Sequence, residues 1–172
     1  MSVVHKDIDP TATANTVAVT ETMVINPAFL QEIKDSNPEC WHVQHRLRQL
    51  VHSDNDASGR LNQAVKLLDS FRDHLALQFA LEESYGYQTI RGINTSTPVL
   101  LTPGLIEVAH DQHCGLYLQI SELSEEACEL QYRGIERASF DRLMTKVAEF
   151  DAKLIQHEKL ESDLIEHSFG LS

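Results

Sequence analysis

The sequence predicts an all-α fold: four long helices packed as an up-and-down four-helix bundle, preceded by an extended arm and one short extra helix. Two observations carry this reading. Apolar residues recur at steps of three and four through four long stretches, the mark of helices with one buried face. Turn-forming residues are scarce, with 7 Gly and 5 Pro among 172 residues, and most of them fall outside those stretches. Four amphipathic helices on short or medium connections bury their stripes against one another. A chain of this length fits one domain with a sizeable core. Residues 26–172 therefore read as the bundle and residues 1–25 as a flexible or extended arm.

The arm is rich in Thr, Ala and Val and shows no helical period. Its Val17-Ala18-Val19-Thr20 run has the character of a short strand or an oligomer contact. Asn26-Pro27 supplies an N-cap and a first-turn proline for a short helix to about Asp35. Ser36-Asn37-Pro38 interrupts it. The first long helix then runs from Pro38 to about His52 on a face of Cys40, Val43, Leu47, Leu50 and Val51, with His42, His45 and His52 on the far side in water. Asp54 to Gly59 is loop chemistry. The second long helix, about Arg60 to Ser84, has the stripe Leu61, Ala64, Leu68, Phe71 and Leu75. Residues 86–102 are rich in turn formers and read as a crossover loop packed by Tyr85 and Tyr87. Pro103 restarts a helix to about Tyr132 on Ile106, Ala109, Leu116, Tyr117, Ile120, Leu123 and Ala127, and Gly134 ends that segment. Ser139 is placed to cap the last long helix, whose face is Phe140, Leu143, Val147, Phe150, Leu154, Leu164 and Ile165.

Each stripe is interrupted by polar residues. In the last helix His157 and Glu161 stand where apolar residues would continue the face. Four apart, they stack on adjacent turns, offset by only about 40° around the axis. A carboxylate in an apolar stripe is expensive to desolvate unless something pairs with it, and a metal ion is one such partner. The second helix carries Gln78 and Glu82 at the same spacing, with His74 at the stripe edge. The first and third helices carry single intrusions, Gln44 and His113, and Tyr117 follows His113 by one turn. The order along the chain is single, pair, single, pair.

That order resembles the hemerythrin-like family, in particular its HHE cation-binding branch. There a His on the first helix is followed by HxxxE on the second, His on the third and HxxxE on the fourth. The stretches that carry the likeness are HLALQFALEESYGY from His74, HCGLYLQI from His113 and HEKLESDLI from His157, within about residues 26–167. Gln44 and Gln78 stand where the family has histidines, and Tyr117 where a second third-helix His is common. The resemblance implies Glu82, His113, His157 and Glu161 as metal ligands, the carboxylates bridging or chelating. Gln44, Gln78, His74 and Tyr117 would be weaker or supporting groups. A full family site holds two irons that share carboxylates and bind dioxygen or respond to redox state. The implied cofactor is therefore non-haem iron, as a pair or a single ion, with zinc or manganese as alternatives. The implied role is oxygen or redox sensing, oxygen binding or iron handling by a partly depleted site.

Two imidazoles with two carboxylates suit a borderline divalent ion. The imidazoles must be neutral to bind it, so occupancy falls in mild acid. The competing reading is a metal-free structural or partner-binding bundle in which Gln and His hydrogen-bond the carboxylates. A third reading, an enzyme that oxidises a substrate or removes peroxide, ranks below both. Hydrolytic signatures are missing: there is no Gly-x-Ser-x-Gly, P-loop or HExxH. The formal net charge of −12 argues against nucleic acid as a partner. No apolar run approaches the roughly 20 residues of a membrane span, and the start lacks a secretory pattern. Three cysteines without CxxC spacing suggest a reducing, cytoplasmic setting, with Cys114 a packed thiol. The arm leaves a homodimer open.

Overall fold

The computed structural model describes residues 19–92 and 103–170. Within them Asn26 and Pro27 start a helix as their chemistry dictates: Asn26 Oδ1 accepts the Phe29 N–H at 3.2 Å, and Pro27 fills a first-turn position where no N–H is needed. This helix, α1 (Pro27–Asp35), stops where the Ser36 N–H and hydroxyl both turn back to the Glu32 carbonyl, at 3.0 and 2.7 Å. Pro38 opens α2 (Pro38–Val51). Asp56 caps α3 (Ala57–Leu81) by accepting the Gly59 N–H at 3.0 Å. The remaining helices are α4 (Pro103–Arg133) and α5 (Arg137–Ser168). The last begins three residues before the start expected from a Ser139 cap, with Glu136 at the N-cap position, and the Ser139 hydroxyl donates to Glu136 instead of capping the helix.

The apolar stripes meet as their spacing requires. Helix α2 packs on α3 and α5, and α4 packs on α3 and α5. Between them lies a core that includes Leu47, Leu68, Phe71, Ile120, Phe140, Leu143, Phe150 and Leu154. Phe71 meets Phe150 edge to face at 5.9 Å, a geometry worth about 0.5–1.5 kcal/mol beyond area burial. Buried Arg60 donates to the Leu50 and Val51 carbonyls at 3.0 and 3.1 Å and lies 5.0 Å from the Phe140 ring centre. It thus serves the Val51 carbonyl at the end of α2 and adds to the Ser53 N–H that the Leu50 carbonyl already accepts at 3.2 Å. A second, smaller core holds Leu30, Tyr87, Ala109, Leu164 and Ile165. Helix α1 packs there, on α5 and on the turn that follows α3. Among the described residues no helix is long and apolar enough to cross a membrane.

The segment after α3 departs from the expected loop. Residues Glu82–Gly86 form one wide π-type turn, closed by the Tyr87 N–H on the Glu82 carbonyl. The chain then runs extended as β2 (Tyr87–Gly92), paired antiparallel with β1 (Thr20–Ile25), so that Ile25 faces Tyr87 and Thr20 faces Gly92. The end of the expected arm is thus a strand held against the helices. Residues 1–18, including the first half of the Val17–Thr20 run, and residues 93–102 of the expected crossover lie outside the described residues.

Gly86 is where this segment presses closest on α1. Its carbonyl accepts the Asn26 N–H at 2.8 Å. A Cβ here would fall 2.2 Å from Leu30 Cδ2 and 2.9 Å from its Cγ, and Leu30 is fully buried. Gly86→Ala is expected to cost about 1–3 kcal/mol, the usual range for overpacking. A urea midpoint equal to wild type would show that Leu30 is free to retreat.

Candidate metal centre

The polar ends of three stripes converge beside the smaller core. The π turn presents Glu82, α4 presents His113, and α5 presents His157 and Glu161 one turn apart. All four are buried, and one ligand-capable atom from each lies within 4.8 Å of the others. His113 Nε2 is 3.0 Å from Glu82 Oε2 and 3.6 Å from Glu161 Oε2, and His157 Nε2 is 3.0 Å from Glu161 Oε1. Turns of this π type are rare, and where they occur they are often at functional sites.

The local bonding shows why a cation fits. Glu82 Oε2, His113 Nε2 and His157 Nε2 are buried with no hydrogen-bond partner, a costly state for polar atoms unless an ion satisfies them. His157 Nδ1 lies 2.9 Å from Gln112 Oε1. With that oxygen accepting, Nδ1 carries the proton and the Nε2 lone pair faces Glu161. Two electron-pair donors 3.0 Å apart repel unless a proton or a metal ion lies between them. A tetrahedral ion with bonds of about 2.1 Å spaces its ligand atoms about 3.4 Å apart; the two His113 Nε2 distances, 3.0 and 3.6 Å, lie on either side of that value, and the whole cluster falls within 4.8 Å. The cluster can hold a metal ion, and its donor set is that of a borderline divalent cation.

Around these four runs a ring of supporting groups. Tyr87 donates its hydroxyl to Glu161 Oε2 at 2.7 Å. Lys34 Nζ lies 3.0 Å from Glu161 Oε1 and also bonds Glu158. The Gln78 amide donates to Glu82 Oε1 at 3.0 Å, and its own oxygen accepts from Asn37 at 2.9 Å. Phe79 stacks on the His113 ring, centres 4.5 Å apart, and fixes its plane.

Burial and neighbouring charge pull the titrations apart. Burial works against the Lys34 ammonium, but Glu161, Glu158 and Glu82 together hold it charged, above the ordinary lysine range. Burial raises Glu82 and Glu158, only partly offset by the nearby cations. Burial would raise Glu161 too, but His113, His157 and Lys34 outweigh it and hold it well below the usual carboxylate range. Burial lowers His113, whereas Glu161 and Glu82 more than compensate and bring it to about 9.

A pH dependence follows for the metal-free protein. A histidine raised on folding stabilises fully below its unfolded value of about 6.5 and loses that contribution as pH rises through the folded value. For His113 the window is therefore from about 6.5 to about 9. The loss is of order 3 kcal/mol at most. The melting temperature in chelator should fall across this interval, and a flat profile would show that the two carboxylates do not hold the His113 proton. Metal binding should strengthen over the same interval, because the ion needs the neutral imidazole.

Of the other expected ligands, Gln44, His74 and Tyr117 lie apart from the cluster. Gln44 donates to Asp151 at 2.8 Å, six residues and therefore about 9 Å along the helix from His157. Gln44 thus takes no part in the cluster. The break at Pro38 is the reason: it is α1, not α2, that reaches the level of the carboxylates. His74 lines a cleft between α2 and α3 with Glu39 and His42, and Tyr117 is 41% exposed. Gln78 is close, but as a hydrogen-bond donor to Glu82. Cys114 is exposed rather than packed. Cys40 is the buried thiol, pushed up to about 12 chiefly by burial, which leaves it protonated and a poor ligand.

Sequence reasoning missed Lys34, Tyr87 and Glu158. Lys34 had a signal: Leu30, Ile33 and Lys34 share one face of α1, so the lysine continues an apolar stripe. Tyr87 had none, because its role depends on a strand pairing with residues far away in the chain. Compared with family models, curated proteins and solved structures, the chain finds no match in any of them.

Proposed function

We propose that this chain is a metal-binding protein of hemerythrin type, its α2–α5 forming the bundle and its centre holding non-haem iron for oxygen or redox sensing, oxygen binding or iron handling. The observation that carries the reading is the convergence of Glu82 Oε2, His113 Nε2 and His157 Nε2, all buried and all without a hydrogen-bond partner. His113 and His157 would be the nitrogen ligands and Glu82 and Glu161 the oxygen ligands. Gln112 sets the His157 tautomer, and Phe79 holds the His113 plane. Tyr87 and Lys34 fix the Glu161 carboxylate from behind. Iron, when bound, supplies a redox-active centre able to interact with dioxygen; the chain supplies a dry, preorganised cradle for it.

A second reading rests on Lys34. Its ammonium already neutralises part of the carboxylate charge, and a protonated His113 would neutralise more, giving a metal-free polar core in a structural bundle. The two separate on metal content after expression in iron-supplemented medium, with visible absorption recorded in air and after oxygen removal. Retained iron with an absorption band that responds to oxygen supports the sensor or carrier role. Retained iron without such a response favours iron handling. Protein that retains no iron, zinc or manganese favours the metal-free core.

A further inference from the structure

We propose that Lys34 is a built-in cation that fills a second cation position beside the metal centre and so limits the centre to a single ion. The inference rests on the metal-binding reading above. Glu161 Oε1 faces two ways: it is 3.0 Å from His157 Nε2 and 3.0 Å from Lys34 Nζ. On the first side lie the unpartnered atoms of Glu82, His113 and His157. On the second side the ammonium is held between Glu161 and Glu158. A second metal ion shared through Glu161 would have to occupy the volume that the ammonium fills.

Charge points the same way. Three carboxylates gather here, Glu82, Glu158 and Glu161, with Glu82 and Glu161 fully buried and Glu158 about four-fifths buried. One ammonium and one divalent ion neutralise all three. A second divalent ion beside the lysine would leave excess positive charge in a site with little water to screen it. The donors that removal of the ammonium would free on the second side are the Glu158 and Glu161 carboxylate oxygens. The Gln78 oxygen is taken by Asn37, and its nitrogen is directed at Glu82 and Glu158. Lys34 itself is anchored: its carbonyl accepts from Trp41 Nε1 at 3.3 Å, across the break at Pro38.

Calorimetric titration of the chelator-treated full chain with zinc at neutral pH tests this. Wild type should saturate at one zinc per chain, and His113→Ala should lose that binding. Lys34→Ala should saturate at two, and Lys34→Ala/Glu158→Gln should return to one. If Lys34→Ala does not fold, as judged by circular dichroism, Lys34→Gln, which removes the charge with less loss of volume, carries the same expectation. Wild type at one zinc with either folded Lys34 variant also at one overturns the inference alone. Wild type at two zincs, both lost on substitution at the centre, likewise overturns it while leaving the metal-binding reading intact. Wild type that binds none, or binding that survives His113→Ala, removes the underlying reading and the inference with it.

Discussion

His113→Ala is expected to weaken divalent-metal binding by well over a hundred-fold. Loss of a group that merely orients a ligand costs roughly 10–100-fold, and His113 stands inside that layer. Its Nε2 is 3.0 Å from one carboxylate and 3.6 Å from the other, so it joins both halves of the cradle. Removing it leaves one imidazole and two like-charged carboxylates. Gln112→Ala, which frees the His157 ring to turn, should fall in the 10–100-fold range. Gln44→Ala, whose amide is engaged by Asp151, should leave affinity near wild type. Zinc titration of the three variants measures all of this. A His113→Ala affinity within a few-fold of wild type would place the ion elsewhere.

Glu161→Ala is expected to destabilise the metal-free protein by about 3–5 kcal/mol, the usual consequence of breaking a buried ion pair from one side. Glu161 accepts from Lys34 and Tyr87 and faces both imidazoles. Without it the Lys34 ammonium keeps only Glu158, and the Tyr87 hydroxyl loses its acceptor. Replacing both members of a buried pair with apolar groups of similar size is much less costly than removing one. Lys34→Met/Glu161→Leu, combined with Glu158→Gln so that no buried charge is left unpaired, should therefore be more stable than Glu161→Ala, and urea unfolding in chelator compares them. A loss below about 1 kcal/mol for Glu161→Ala, the scale of an exposed pair, would mean that water reaches the carboxylate.

The helices were legible because their signals are local. The cap at Asn26, and apolar steps of three and four, are written within a turn or two of where they act, whereas Asp56, read as loop, caps a helix that starts three residues early. The same periodicity brought Glu82, His113, His157 and Glu161 to light, since each occupies a position where its own helix demands an apolar residue. What stayed hidden depends on relations between distant segments. β1 and β2 pair across more than sixty residues, with no turn between them to announce a hairpin. Tyr87 reaches Glu161 only because that pairing sets it there. Gln44 was misplaced because periodicity gives the face of a helix but not its height against its neighbours. The Pro38 break sets that height, and it puts Lys34 of α1 at the level where a first-helix ligand was sought. Lysine is normally a surface residue, so its place on the Leu30–Ile33 face was not singled out.

The most direct test is anomalous diffraction from crystals of the full chain grown with zinc, recorded on both sides of the metal's absorption edge. The geometry predicts a peak bonded at about 2.0–2.2 Å to Glu82, His113, His157 and Glu161. A peak bonded to surface carboxylates alone, or none within reach of these four side chains at saturating zinc, would contradict it.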